Sequence, residues 1–149
     1  MPSVLLIYHT FTGNTKKMAE AVAEGAKAVE GVEVILKKVA QVSLEDFASA
    51  DAIAFGAPNT FGSMAGALRE FFDRAWKVRD RVAGKPVVAF TSENAGVRKA
   101  LEDIERFFGY YRLKKVADGV VAEKTPSMEE LKACRVLGRS LALEAQKSS

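Results

Sequence analysis

The residues best suited to chemistry in this sequence are clustered in one short segment near its beginning. Thr10, Thr12 and Thr15 carry hydroxyls, Asn14 carries an amide, and Gly13 allows a tight turn. The segment follows an apolar run and precedes a helical pattern, so its backbone N–H groups are expected at a helix N-terminus. Those unpaired N–H groups and the positive end of the helix dipole favour an anion. The segment therefore predicts a phosphate-binding loop.

Two simpler interpretations compete with phosphate binding: Asn14 or Thr12 merely caps the helix, and Lys16 and Lys17 are solvated. Capping needs only one such residue. Each exposed cation in a first turn opposes the helix dipole by about 0.3–1 kcal/mol, and a bound dianion would offset this cost.

No two glycines are separated by a single residue, and no Gly-Lys-Ser/Thr element occurs. Dinucleotide and triphosphate loops are therefore disfavoured, and a phosphate monoester is the expected ligand.

Other kinds of site have little support. His9 is the one histidine, so a hydrolytic triad would depend entirely on it, and sites built from several His and Cys ligands are excluded. Cys134, the one cysteine, shares helical spacing with Leu131, Leu137 and Leu141, which indicates a structural thiol. We expect no metal ligands and assign no catalytic side chain.

Apolar runs typical of buried strands alternate along the chain with stretches that carry apolar residues at helical spacing. This alternation predicts one globular α/β domain over residues 1–149, with a parallel sheet covered by helices on both faces. Ligands of such sheets bind at the carboxyl ends of the strands, here the loops 10–15, 57–63 and 91–96. Strands are predicted at residues 3–8, 32–39, 51–56, 87–91 and 116–122, and helices at 14–30, at 43–47, from a Ser63 cap to Ala75, from Val97 to Gly109, and from 126 to 146.

The segment Ile7-Tyr8-His9-Thr10-Phe11-Thr12-Gly13-Asn14-Thr15 resembles the phosphate loop of the flavodoxin family, Ser/Thr-x-Thr-Gly-Asn-Thr after a hydrophobic strand. The resemblance implies a flavodoxin-like three-layer sandwich, with a five-stranded parallel sheet in the order 2-1-3-4-5. It also implies flavin mononucleotide (FMN) as the cofactor.

Residues 56–66 resemble the isoalloxazine loop of the flavodoxin-like branch that includes quinone reductases and flavin reductases. Pro58 stiffens this loop, Gly62 permits close approach, and N–H groups of residues 59–63 suit the polar edge of the ring. Phe61 is expected against a ring face, where a stacked pair contributes about 0.5–1.5 kcal/mol beyond area burial. The alternative is that Phe61 packs in the core.

The third loop, residues 91–96, departs from both groups. Flavodoxins resembling this chain usually offer a second aromatic there, and the quinone-reductase branch a longer glycine-rich loop with a histidine; this loop has neither. One ring face is then open to a nicotinamide or a quinone, unless a neighbouring subunit closes it. Glu93 either disfavours an anionic reduced flavin or is a solvated helix cap, and we favour the cap.

Charge and hydropathy limit the partners. The net charge of +3 comes from basic residues interspersed with acids, which is typical of a solvated surface and not of a nucleic-acid face. Flavodoxins are usually strongly acidic, however, so one basic cluster is a candidate site for an acidic redox partner or a nicotinamide phosphate, or else a solvated loop. The basic cluster is Arg74, Lys77, Arg79, Arg81 and Lys85.

No apolar stretch approaches the ~20 residues that a bilayer requires, so we expect a cytoplasmic, soluble protein, with a homo-oligomer compatible with the sequence.

We therefore expect an FMN-binding redox flavoprotein that transfers electrons, with NADH or NADPH as candidate donor and a quinone, another small molecule or a partner protein as acceptor. Two alternatives stay open: a flavodoxin-type carrier with no turnover of its own, and a non-redox module that binds phosphate or a partner. The flavin supplies the chemistry, so no acid–base residue is required. The predicted cofactor-binding residues are Thr10, Phe11, Thr12, Gly13, Asn14, Thr15, Pro58, Asn59, Thr60, Phe61, Gly62, Ser63, Thr91, Ser92, Glu93, Asn94 and Gly96.

Overall fold

A parallel sheet organises the computed structural model of this chain, which describes residues 1–93 and 98–147. Its order is β2-β1-β3-β5, and the short strands β6 and β7 share the place beyond β5. All of these neighbours pair in parallel, so the predicted order 2-1-3-4-5 is confirmed. The strands are β1 (Ser3–Tyr8), β2 (Glu33–Lys38), β3 (Ala52–Thr60), β4 (Ser63–Met64), β5 (Pro86–Glu93), β6 (Lys114–Lys115) and β7 (Val120–Glu123).

Helices cover both faces of this sheet, because side chains along each buried strand alternate between two apolar cores. In β1, Leu5 and Ile7 face a core that contains Phe47 and Phe71, whereas Val4 and Leu6 face a second core. α2, α3 and α5 build the first core, and α1 and α6 build the second. The helices are α1 (Asn14–Lys27), α2 (Leu44–Ser49), α3 (Gly66–Ala75), α4 (Arg79–Val82), α5 (Lys99–Tyr110) and α6 (Met128–Lys147).

The packing of α1 against α6 brings two backbones together. A Cβ atom added at Gly25 would lie 1.8 Å from the carbonyl oxygen of Arg135, and one added at Gly138 would lie 1.9 Å from that of Val22. Any side chain larger than hydrogen would have to push the helices apart at these positions. The two glycines therefore set how closely α1 and α6 approach.

Several predicted boundaries are wrong, and the clearest cases are the first helix and the third and fifth strands. The first helix ends at Lys27 and not at residue 30, because the chain turns before Gly31, which has a positive φ of 77°. The third strand continues past residue 56 to Thr60, because β4 pairs with its end. The fifth strand is interrupted between β6 and β7: the Val116 N–H still donates to the Val87 carbonyl at 3.2 Å, and pairing with β5 resumes only at Val120.

No helix within residues 1–93 and 98–147 is long and apolar enough to cross a membrane.

Candidate cofactor site

The predicted phosphate loop ends on a helix that no side chain caps. Gly13 is the N-cap of α1 and has a φ of 92°, in the left-handed region that favours glycine. Its N–H donates to the Thr10 hydroxyl oxygen at 3.0 Å. Neither Thr12 nor Asn14 caps α1, so the capping interpretation is wrong. The backbone N–H groups of the first turn are left to meet an anion, as a phosphate site requires.

Thr15 joins the first loop to the third. It is buried in the first turn of α1, and its hydroxyl lies 2.8 Å from the hydroxyl of Ser92. The two loops come from strands separated by β3, so this hydrogen bond closes the gap between them. It fixes the position of the α1 N-terminus relative to the end of β5.

The second loop is a tight hairpin. Thr60 pairs with Ser63 across β3 and β4, which leaves Phe61 and Gly62 as a two-residue turn. Their φ values are 52° and 83°, and two positive values are the signature of a type I′ turn. The Phe61 side chain is fully exposed, so the interpretation that it packs in the core is wrong.

Two details of this hairpin differ from the sequence analysis. The Gly62 N–H donates to Asn59 Oδ1 at 2.8 Å and is not free for a ring edge. The Ser63 hydroxyl donates to the Thr60 carbonyl at 3.1 Å and caps no helix, because Ser63 belongs to β4 and α3 begins later, after Ala65. The hairpin therefore uses part of its own polar groups to hold its shape.

Glu93 is a helix cap, but a buried one. Its Oε1 accepts hydrogen bonds from Asn59 Nδ2 at 2.9 Å and from the Ala100 N–H at 3.0 Å. Its Oε2 accepts from the Thr91 hydroxyl at 2.7 Å and from the Leu101 N–H at 3.1 Å. The predicted solvated cap is thus wrong in its exposure, since only 4% of Glu93 is exposed. This carboxylate joins the hairpin to the start of α5.

One cavity of about 600 Å³ lies among these loops, within the size range of small-molecule and cofactor sites. Nine predicted residues line it: Phe11, Thr12, Asn14, Pro58, Asn59, Phe61, Gly62, Ser92 and Glu93.

The other predicted residues that the structure describes do not line this cavity. Thr91 is fully buried with its hydroxyl bound to Glu93, so a direct contact with a ligand is not expected of it. Asn94 and Gly96 lie outside the described residues. The remaining five are also absent from the lining: Thr10, Gly13, Thr15, Thr60 and Ser63.

Two lysines in the cavity wall were missed. Lys99 begins α5, and Lys124 follows β7 with a positive φ of 51°. An isolated lysine is most often solvated, so nothing in the sequence marked either one. Only the sheet order, which sets β7 beside β5, brings Lys124 to this cavity.

His9 and Phe11 form a ring pair at the edge of the phosphate loop, with centroids 4.6 Å apart. Partial burial lowers the pKa of His9, so its neutral form is favoured. No carboxylate among the described residues hydrogen-bonds this ring in the way that a hydrolytic triad requires. The arrangement gives no support to hydrolysis.

Residues 5–122 match the family model for the flavodoxin domain. This chain belongs to the flavodoxin family. It is 41% identical to a flavodoxin of Aquifex aeolicus over an alignment that covers 95% of this chain and 86% of that protein. It is 33% identical to an NAD(P)H dehydrogenase (quinone) of Syntrophobacter fumaroxidans, where the alignment covers 61% of this chain and 57% of that protein. The family resemblance predicted from the phosphate loop is therefore confirmed, and with it FMN as the cofactor.

Solved structures agree on the fold. A flavodoxin from the domain Archaea superposes with a TM-score of 0.87 at 23% identity, covering 97% of this chain and 99% of that one. A flavodoxin, WrbA-like protein from Agrobacterium tumefaciens superposes with a TM-score of 0.86 at 24% identity over the whole of both chains. The flavodoxin-like α/β class is confirmed.

The residues present in this flavodoxin-family chain fit FMN. The uncapped N-terminus of α1 suits its phosphate, and the exposed Phe61 ring suits a face of the isoalloxazine. The cavity between them is large enough for a cofactor of this size class. The contacts of individual residues with the cofactor remain predictions.

The basic cluster lies at the other end of the sheet, between the end of α3 and the start of β5. Arg81 forms two hydrogen bonds of 2.9 Å with Glu45, and the Lys85 ammonium donates to the Ala48 carbonyl. Arg79 stacks over Trp76 at 4.4 Å. Most of the cluster forms contacts within the chain, which favours the interpretation that it is an ordinary surface loop over the interpretation that it binds a redox partner or a nicotinamide phosphate.

Proposed function

We propose that this chain is an FMN-dependent oxidoreductase that passes electrons from NADH or NADPH to a quinone or another acceptor. The supporting observation is the cavity, where an uncapped helix N-terminus and an exposed aromatic hairpin face one space. The described part of the third loop contributes Ser92 and Glu93 to this space and no aromatic ring. A ring face left uncovered there is accessible to a second small reactant.

Each loop has its own task in this proposal. First-turn N–H groups of α1, with Thr12 and Asn14, bind the phosphate. Phe61 covers one ring face, and the bonds from Gly62 to Asn59 and from Asn59 to Glu93 keep the hairpin in place. Bound FMN supplies the electron transfer itself, so the chain needs no acid–base residue of its own. Residues 1–149 act here as one cytoplasmic FMN-binding domain.

A carrier without turnover is the second candidate. Its support is the flavodoxin of Aquifex aeolicus, which this chain matches over nearly its whole length, whereas the chain spans little more than half of the quinone dehydrogenase. A carrier would receive electrons from a partner protein and would not react directly with a nicotinamide.

One experiment separates the candidates. The purified chain is loaded with FMN, mixed anaerobically with NADH or NADPH, and followed by its visible flavin absorbance. Rapid bleaching supports the oxidoreductase; bleaching only through a partner reductase supports the carrier. A chain that stays colourless and binds no added FMN contradicts both and leaves the non-redox module.

Two substitutions test the phosphate loop in the same assay. Gly13→Asp and Thr15→Asp each bring a negative charge to the α1 N-terminus, and Gly13→Asp also forces a side chain into a left-handed backbone. We expect both to abolish FMN binding while the far-UV circular dichroism stays native. His9→Gln is the control and should leave FMN binding largely intact.

A further inference from the structure

Two lysines in the cavity wall form no ion pair with any other described residue. Lys99 begins α5 and Lys124 follows β7, and both line the cavity. Neither takes part in any ion pair formed within residues 1–93 and 98–147. Their ammonium groups are therefore available to a ligand.

The sheet places both lysines away from the phosphate loop. The order β1-β3-β5-β7 puts three strand spacings between the ends of β1 and β7, or roughly 14 Å. The Lys99 stem packs beside the hairpin, since its Cδ lies 3.7 Å from where a Gly62 Cβ would stand. Both lysines therefore follow strands that lie nearer to the hairpin, where the ring is proposed to bind, than the end of β7 lies to the phosphate loop.

The carboxylate of Glu93 does not neutralise the positive charges of Lys99 and Lys124. Among the described residues of the cavity wall, Glu93 is the one carboxylate, and its two oxygens already accept four hydrogen bonds. Its single charge offsets at most one lysine, and its bonding capacity is used. Cations in a cleft with low-dielectric walls attract anions more strongly than cations on an open surface.

Resting on the proposed function, we infer that Lys99 and Lys124 bind the anionic group of the second reactant. The oxidoreductase then prefers negatively charged small molecules over uncharged ones of the same redox class. Two sources fit this chemistry: the diphosphate of a nicotinamide dinucleotide as donor, and a sulfonated or carboxylated quinone as acceptor. The lysines act by binding and orienting the reactant, and FMN remains the group that exchanges electrons.

The test compares charged and uncharged reactants in matched pairs. FMN-loaded wild type, Lys99→Gln, Lys124→Gln and the double variant are reduced by NADH or by uncharged benzyl dihydronicotinamide. The reduced proteins are then reoxidised by naphthoquinone sulfonate or by naphthoquinone. Lys114→Gln is the control, because Lys114 is an exposed lysine at the other end of the sheet.

The first arm compares reduction by NADH with reduction by benzyl dihydronicotinamide, and the second compares reoxidation by naphthoquinone sulfonate with reoxidation by naphthoquinone. We expect the double variant to lower the charged-to-uncharged rate ratio about tenfold in one arm, which corresponds to a loss of about 1.4 kcal/mol of binding free energy. Loss in the first arm identifies the dinucleotide as the anion, and loss in the second identifies the acceptor. The salt dependence of the same rate should weaken in parallel. Ratios that match wild type in both arms overturn the inference.

A binding measurement without turnover separates this role from cofactor binding. The Kd values of FMN and riboflavin are measured by fluorescence quenching for each variant. We expect their ratio to equal that of wild type, because the lysines lie away from the phosphate. A selective loss of FMN affinity means that the lysines hold the cofactor phosphate and overturns the inference. Wild-type protein that binds no FMN overturns the proposed function as well, whereas normal FMN binding with unchanged rate ratios overturns only this inference.

Discussion

Phe61 combines an unfavourable backbone with a side chain that contacts solvent. A left-handed conformation costs a bulky residue about 1 kcal/mol, and full exposure returns no burial energy. Residues held in such conformations are concentrated at functional sites, where a ligand supplies the compensating contact. A contact between the Phe61 ring and the cofactor would therefore offset the strain of its backbone.

Replacing Phe61 with asparagine should separate stability from binding. Asparagine tolerates the left-handed turn, so Phe61→Asn should raise the unfolding free energy of the cofactor-free protein by about 0.5–1 kcal/mol, measured by urea denaturation. FMN affinity should fall about two- to tenfold, because a stacked ring contributes about 0.5–1.5 kcal/mol. Phe61→Trp is the control that restores affinity. A destabilised Phe61→Asn protein would mean that the ring packs against the chain itself.

Cys134 is buried in α6, and burial raises the pKa of its thiol to about 12. Almost no thiolate exists at neutral pH, so we expect native protein to resist an aromatic disulfide reagent and urea-unfolded protein to react at once. Above about pH 9 the unfolded thiol ionises and the folded one does not, so the unfolding free energy should fall with rising pH. This decline should be smaller in Cys134→Ala. Fast labelling of the native protein would contradict the structural role.

At the scale of elements, the close contact of α1 and α6 depends on two missing side chains. A methyl group at Gly138 would overlap the Val22 carbonyl, and relieving that overlap requires a shift of one helix. Gly138→Ala should therefore lower the unfolding free energy by about 1–3 kcal/mol. Gly109→Ala in α5 is the matched control: its methyl meets nothing within 4 Å, and alanine should add about 0.5–1 kcal/mol. Equal effects in urea titrations would show that the contact is softer than the distances indicate.

Elements with a strong local signal could be predicted from the sequence. β1 and the phosphate loop were predicted because a continuous apolar run ends in residues that only an anion site needs together. The β3–β4 hairpin was not, because Pro58 and the polar residues after it are typical of a loop, and their pairing depends on a turn with two positive φ values.

Features that depend on long-range proximity could not be predicted. The helix-cap role of Glu93 was predicted, but its burial and its hydrogen bond with Asn59 were not, because no local spacing encodes a contact between residues so far apart in the chain. Lys124 reaches the cavity only because β7 lies beside β5. The interruption between β6 and β7 was also missed, because the apolar residues of this segment alone suggest an unbroken strand.

At the scale of the whole molecule, the two ends of the sheet carry different kinds of residue. The carboxyl ends of β1, β3, β5 and β7 supply the cavity with its polar, aromatic and cationic residues. The amino end holds the basic cluster, whose arginines are bound to Glu45, Glu70 and Trp76. The cavity end therefore carries the residues suited to a ligand, and the amino end carries cations held by contacts within the chain.

The last prediction links the cofactor to the stability of the whole fold. A ligand that binds only the folded state stabilises it by RT ln(1 + [L]/Kd), or about 2.7 kcal/mol at a hundredfold excess over Kd. FMN should raise the melting temperature by this linkage, since we expect its phosphate to meet the uncapped N-terminus of α1 and its ring to meet Phe61, two sites that follow different strands. Riboflavin, which lacks the phosphate, should raise it much less at the same concentration, and FMN should raise that of Gly13→Asp hardly at all. Equal shifts by FMN and riboflavin in calorimetric scans would mean that the N-terminus of α1 binds no phosphate, whatever the ring contributes.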